Sequence, residues 1–293
     1  MFGRHRGKGS APSAPPSAYP PLEPKIQHLA TSLKYLQKHQ HVHLDNQDIS
    51  SLGIRCIALE FTTGKAAGDG QQFLRMHPWK SVVAIAQQHR LRQYPQISRL
   101  DDAAYLSWHG ARFMSIFFES LLLLSNPEGE ESSSGLVLGP HAQNPAQGTI
   151  WRMLDSGGGM KNLHRSSDTH QFDIMFLLEA LDVSKPHVTA FLANQDALEN
   201  NALLWGEVWC LLMIMLNRLA KPQYSHHHVI PVTIVSVSGR KLRVVQAYVD
   251  GARGITHVQR TPIINFDRGT DACWGETLTV LSWFLGEPVG KTT

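Results

Sequence analysis

Three consecutive histidines, His226, His227 and His228, stand directly before the most regular part of the chain. In an extended chain alternate residues share a face, so His226 and His228 are expected to point the same way. His257 is expected on a neighbouring strand. Imidazole suits zinc, copper, iron or nickel, and a catalytic zinc needs three protein ligands and one open position. His226, His228 and His257 are therefore the candidate metal ligands. No HExxH pattern and no carboxylate at a metal-ligand spacing accompanies them, so the competing reading is a loop that leads into a strand. Glu207 lies alone on an apolar stretch between Trp205 and Trp209. A desolvated carboxyl of that kind would have a raised pKa, which makes Glu207, with His257, the candidate catalytic pair. Glu207, Asp250 and Lys241 are the residues a metal-dependent nuclease would recruit. The hairpin carries Val, Ile and Ala where such a nuclease places its acidic-x-lysine strand.

Other motifs lead away from common chemistries. The end of the chain, GEPVGKTT, has its first glycine one residue too close for a phosphate loop, and only two residues follow Lys291; no helix can follow to cradle phosphate. TTGKAAGDG (62–70) lacks the upstream glycine. There is no GxSxG elbow, and Ser156 before three glycines reads as a linker. Cys56, Cys210 and Cys273 are far apart and form no CxxC pair, which points to a reducing compartment. Arg240, Lys241, Arg243, Arg253 and Arg260 cluster on the C-terminal hairpin and its loops. They are the candidate nucleic-acid contacts, although a net charge of +3 is mild for that role. No cofactor is implied.

These residues need elements to position them. Six prolines between Pro12 and Pro24 make residues 1–24 a disordered basic arm in this reading. A single α+β domain is expected over 25–290, with helices packed on a small, mainly antiparallel sheet and a flexible insertion at 125–148. Ile26, Leu29, Leu33 and Leu36 share one helical face. Residues 54–61 read as a strand. Pro78 opens a helix. Asp101 or Asp102 caps the next one, whose apolar positions run from Leu106 to Leu124. FDIMFLLEALDVS and 196–220 read as helices. VIPVTIVSV and KLRVVQAYV, joined at Ser238-Gly239, read as a hairpin apolar on both faces, which belongs inside a layered structure. ITHVQRTPIINF supplies a third strand, with Pro262 as a break or edge position, and 275–286 closes the chain as a helix. The apolar run 202–216 is interrupted by Glu207 and is shorter than the roughly 20 residues that span a bilayer. No membrane insertion is expected, and no secretory leader is visible.

The stretch WGEVWCLLMIMLNRL, then HHHVIPVTIVSVSGRKLRVVQAYVDG and IINFD, resembles the C-terminal part of an uncharacterised protein family of filamentous fungi. The shared pattern is a helix, H-x-x-x-P-V-x-x-x-S, a hairpin and a third strand. It covers at most the last ninety or so residues. The resemblance implies a fungal intracellular protein without an assigned activity, of a kind sometimes encoded in secondary-metabolite gene clusters.

The expected function is a non-enzymatic interaction or accessory protein with a protein partner, in the cytoplasm or nucleus. Two alternatives carry distinct signatures. A metal-dependent enzyme requires the histidines and a carboxylate to converge in a pocket. A nucleic-acid binder requires the five hairpin cations to form one face.

Overall fold

The computed structural model describes residues 23–68, 70–93, 107–124, 150–154, 164–166, 171–250 and 253–293. Residues 1–22 of the expected basic arm, the caps Asp101 and Asp102, the insertion at 125–148 and the glycine run after Ser156 lie outside these residues; the arm's last position, Pro24, is the first residue of a helix.

The chain begins with α1 (Pro24–Lys38), β1 (His43–Leu44), α2 (Asn46–Ser51) and β2 (Ile54–Ala58). Next come β3 (Leu74–Arg75), α3 (Trp79–Gln88) and α4 (Ser107–Leu124). The middle of the chain is mostly extended: β4 (Trp151–Leu154), β5 (His164–Ser166), β6 (Gln171–Ala180), β7 (Val188–Asn194) and β8 (Leu203–Leu204). After α5 (Trp205–Leu219) follow β9 (Val232–Ser238), β10 (Lys241–Asp250), β11 (Ile255–Arg260) and β12 (Ile264–Asn265). The chain closes with α6 (Gly269–Ala272), α7 (Trp274–Phe284) and β13 (Glu287–Pro288).

One sheet of nine strands organises all of this, in the order β2-β11-β10-β9-β7-β6-β4, with β12 also on β10 and β5 also on β6. The fold is α+β as expected, but the sheet is large and mixed. β9, β10 and β11 form the anticipated antiparallel meander. The parallel pairs β7–β9 and β2–β11 extend it on both sides. The central strands are buried on both faces, as their β-branched runs foretold. Leu192, Val232, Ile234 and Val245 pack beneath α1 and α5 on one face. Phe191, Val235, Val237 and Val244 pack beneath α4 and α7 on the other.

Two expectations need correction. FDIMFLLEALDVS is not a helix: it forms β6 and the turn after it. Its register on β7 shifts between Ile174 and Phe176. A bulge of this kind inserts one residue and breaks the two-residue alternation. Phe172, Ile174 and Leu177 thus lie on one face, and Phe176, Leu178 and Ala180 on the other. The three-residue step from 174 to 177 imitates a helical spacing. The second correction concerns 196–220, where the helix begins only at Trp205. The preceding carbonyls of Glu199 and Ala202 accept hydrogen bonds from Arg243 Nη1 at 2.7 and 2.8 Å, and Leu203–Leu204 pairs with β1. Those bonds hold the segment out of the helix.

The phosphate-loop look-alike at the C-terminus is a strap. Glu287–Pro288 pairs with β3. The Thr292 carbonyl then accepts from the backbone N–H groups of His228 and Val229 at 2.8 and 3.0 Å. Gly290 has φ +86°, and a Cβ there would lie 2.9 Å from Phe73 Cδ1. Glycine is needed for both reasons.

Candidate functional site

The three histidines do not enter a strand together; the segment between the 3-10 turn Pro222–Tyr224 and β9 is irregular. His226 and His228 are exposed, and the middle residue is the buried one. His227 Nδ1 hydrogen-bonds Thr292 Oγ1 at 2.9 Å, and its backbone carbonyl accepts from the buried Lys25 Nζ at 2.7 Å. Lys25 is itself paired with Glu23 at 2.9 Å. His257 sits on β11 with its ring stacked on Tyr248, centroids 4.7 Å apart and planes 6° apart. Among the described residues, no group of three or more His, Cys, Asp or Glu side chains is placed to hold a metal ion. The trio His226, His228 and His257 is therefore not assembled.

A histidine that the sequence did not single out has the more unusual setting. His187 is buried, donates from Nε2 to the Val289 carbonyl at 2.9 Å, and leaves Nδ1 without a partner. Burial pulls its pKa down to about 4. The nearby Lys185 and His227 push it the same way, and the bond to Val289 opposes them. Burial likewise lowers His227, helped by His226, and its Nε2 also lacks a partner. Two imidazoles thus clamp the C-terminal strap in their neutral forms.

Glu207 is fully buried at the first turn of α5. One carboxylate oxygen accepts from the Leu204 backbone N–H at 2.8 Å and so caps the helix. The same carboxylate takes Arg243 in a two-point pair, with Nε to Oε1 at 2.8 Å and Nη2 to Oε2. Arg243 is also fully buried and spends Nη1 on the two carbonyls already described. A carboxylate with both oxygens committed to a fixed guanidinium is a structural anchor. Lys241 and Asp250, the other residues of the nuclease reading, are the two ends of β10. At ~3.4 Å per residue those ends are roughly 30 Å apart, so Glu207, Asp250 and Lys241 do not converge.

The basic hairpin comes apart on the same geometry. Arg240 and Lys241 lie at the β9–β10 turn, where Arg240 Nη1 donates to the Asp267 carbonyl at 3.1 Å. Arg253 is at the opposite end beside Asp250, 3.7 Å away. Arg243 is inside, and Arg260 is half-buried at the end of β11. The five cations do not make one face.

A second polar cluster has little signature in the sequence. Glu179 on β6 lies opposite Arg152 on β4 and is ion-paired with it. Its other oxygen is 2.8 Å from Arg218 Nη2 near the end of α5. Arg218 is 1 % exposed and lies over the Tyr224 ring, 4.9 Å from its centroid. Comparison with protein-family models, curated proteins and solved structures gives no match. The reading of these clusters rests on their geometry alone.

The two faces of α4 differ. The inner face of α4 is buried through Ala111, Met114, Phe117, Phe118 and Leu121. Its outer face presents Phe113 and Ile116, 41 % and 45 % exposed, three residues apart and so neighbours on the helix surface. Arg112 is exposed beside them. An open groove of about 540 Å³ lies elsewhere, between 58–67 and the pair Pro262 and Ile264, and its walls are largely alanine, leucine and phenylalanine. No described helix is long and apolar enough to cross a membrane.

Proposed function

We propose that the chain is a non-enzymatic interaction protein that binds a protein partner through the outer face of α4. The observation that carries this reading is the exposed pair Phe113 and Ile116 on a helix whose opposite face is already fixed in the core. Contiguous apolar surface left in water is the feature that marks protein–protein contact sites. Aromatic residues and arginine are the types that concentrate binding energy at such centres. The partner's complementary surface is apolar with a carboxylate at its rim, to meet Arg112. The internal commitment of Glu207 and Arg243 also supports this reading, because it removes the best carboxylate from solution chemistry. In this reading the chain acts inside a fungal cell, in the cytoplasm or the nucleus, as an accessory or regulatory component, with secondary metabolism as its setting.

The test is the size of the native complex. In gently lysed cells that make the full chain, the protein should migrate well above its 32.7 kDa mass. Phe113→Asp with Ile116→Asp should return it to the monomer position without lowering the thermal midpoint of the purified protein. Monomer migration by the unmodified chain would overturn the proposal.

A further inference from the structure

The exposed stripe of α4 carries two charges that the chain itself leaves unanswered. Arg112 is exposed and Glu119 is half-buried. Neither makes an ion pair among the described residues. The Arg112 guanidinium lies over the Trp108 ring one turn earlier, 5.9 Å from its centroid. Trp108 is buried in the core, and a cation over an aromatic face at that distance is attracted to it. The charge is thus held against the helix surface with one edge of the guanidinium free. Burial raises the pKa of Glu119, the mark of a carboxyl that has lost water without gaining a cation.

The spacing of these charges suits a twofold axis. Seven residues are about two helical turns, or roughly 10 Å of rise, so Arg112 and Glu119 stand on the same side of the stripe. Ile116 runs along its middle and Phe113 along its other side. When two copies of a helix pair antiparallel about a twofold axis, the same side of each abuts and the order of residues is reversed. Residue i then meets residue j, and j meets i. An axis midway between positions 112 and 119 passes beside Ile116. It sets Arg112 of each copy against Glu119 of the other, twice.

We infer that the partner of the outer face of α4 is a second copy of this chain, docked antiparallel about a twofold axis beside Ile116. The inference rests on the α4 reading and names its partner. The apolar surface rimmed by a carboxylate, which Arg112 calls for, is α4 itself, and Glu119 is that carboxylate. Phe113 and Ile116 of both copies form the centre that excludes water, where aromatic anchors carry most of the binding energy. The two ion pairs lie at the rim. Rim charges contribute little affinity, but they set register and reject a wrong orientation.

The test is sedimentation equilibrium of the purified full chain, with no other protein present. Over a concentration series the unmodified chain should approach twice its 32.7 kDa mass. Arg112→Glu or Glu119→Arg sets like charges against each other twice, so either change should weaken self-association at least about tenfold. An equimolar mixture of the two variants should regain the dimer, because one copy then presents two carboxylates and the other two guanidiniums. Circular dichroism and the thermal midpoint establish that each variant is folded. Arg112→Glu, at an exposed position, keeps the test decisive if Glu119→Arg does not fold. A purified chain that stays monomeric overturns the inference, as does a dimer indifferent to Arg112→Glu, or a mixture of folded variants that does not associate. The α4 reading fails on a different result: it survives a monomeric purified chain if the complex in lysed cells persists and is lost with Phe113→Asp and Ile116→Asp.

Discussion

Glu207 shows how the same residue can carry opposite meanings in sequence and in space. An isolated acid on an apolar helix has the mark of a catalytic group, yet here it neutralises Arg243 and caps α5. Removing one member of a buried pair leaves the other charged and unsolvated, at a cost of about 3–5 kcal/mol. Glu207→Ala should therefore lower the urea-unfolding free energy by about that amount. Glu207→Leu combined with Arg243→Met should recover much of the loss, since no orphaned charge remains. Equal instability of the single and double variants would contradict the structural role. His187 supplies a pH dependence of defined sign. Its folded pKa is about 4 against 6.5 for a free imidazole. Between those values the unfolded chain binds the proton and the folded chain does not. Stability should be fully present above pH 6.5 and should fall as the pH drops towards 4, by about 3 kcal/mol in all. Denaturation curves across that window should show the decline, and His187→Gln should flatten it. His227 was masked by its exposed neighbours His226 and His228, and His187 is a lone histidine before a short apolar run. Their burial depends on the strap 287–292, which meets them from the far end of the chain.

At the scale of elements, legibility followed the regularity of each apolar pattern. α1, α3, α7 and the β9–β10–β11 meander were readable because nothing interrupts their period. β6 was not, because the bulge between Ile174 and Phe176 converts an alternating strand into a helix-like spacing. β7 was missed because HVTAFLAN is apolar on both faces and short, so period says nothing about it. The early helix start was misplaced because the bonds that hold 199–204 out of the helix come from Arg243, about forty residues on. One element contact also yields a sharp prediction. A Cβ on Gly110 of α4 would lie 3.0 Å from the Gly239 Cα in the β9–β10 turn. Gly239 itself has φ +58° and cannot easily yield. Gly110→Val should push α4 off the turn and cost about 1–3 kcal/mol, whereas Gly275→Ala, with nothing within 4 Å of its Cβ, should not destabilise. Chemical denaturation of the two variants side by side decides the matter, and a neutral Gly110→Val would show that the helix does not seat there.

For the whole molecule, the sheet is the common floor. α1 and α5 lie on one face, and α4 and α7 lie on the other. The strap at 287–292 ties the end of the chain to β3 and to the segment before β9. Lys25, His227 and Thr292 meet although they come from the beginning, the later part and the end of the sequence. No local pattern could have announced that junction. The interface proposed at Phe113 and Ile116 lies on the outside of this frame. The measurement that tests this most directly is site-specific photo-crosslinking in living cells, with a benzophenone side chain at position 113 and a control at the exposed Lys241. One discrete protein adduct is expected from position 113, absent from position 241 and lost when Ile116→Asp is added. No adduct from position 113, or an adduct indifferent to Ile116→Asp, would contradict that interface.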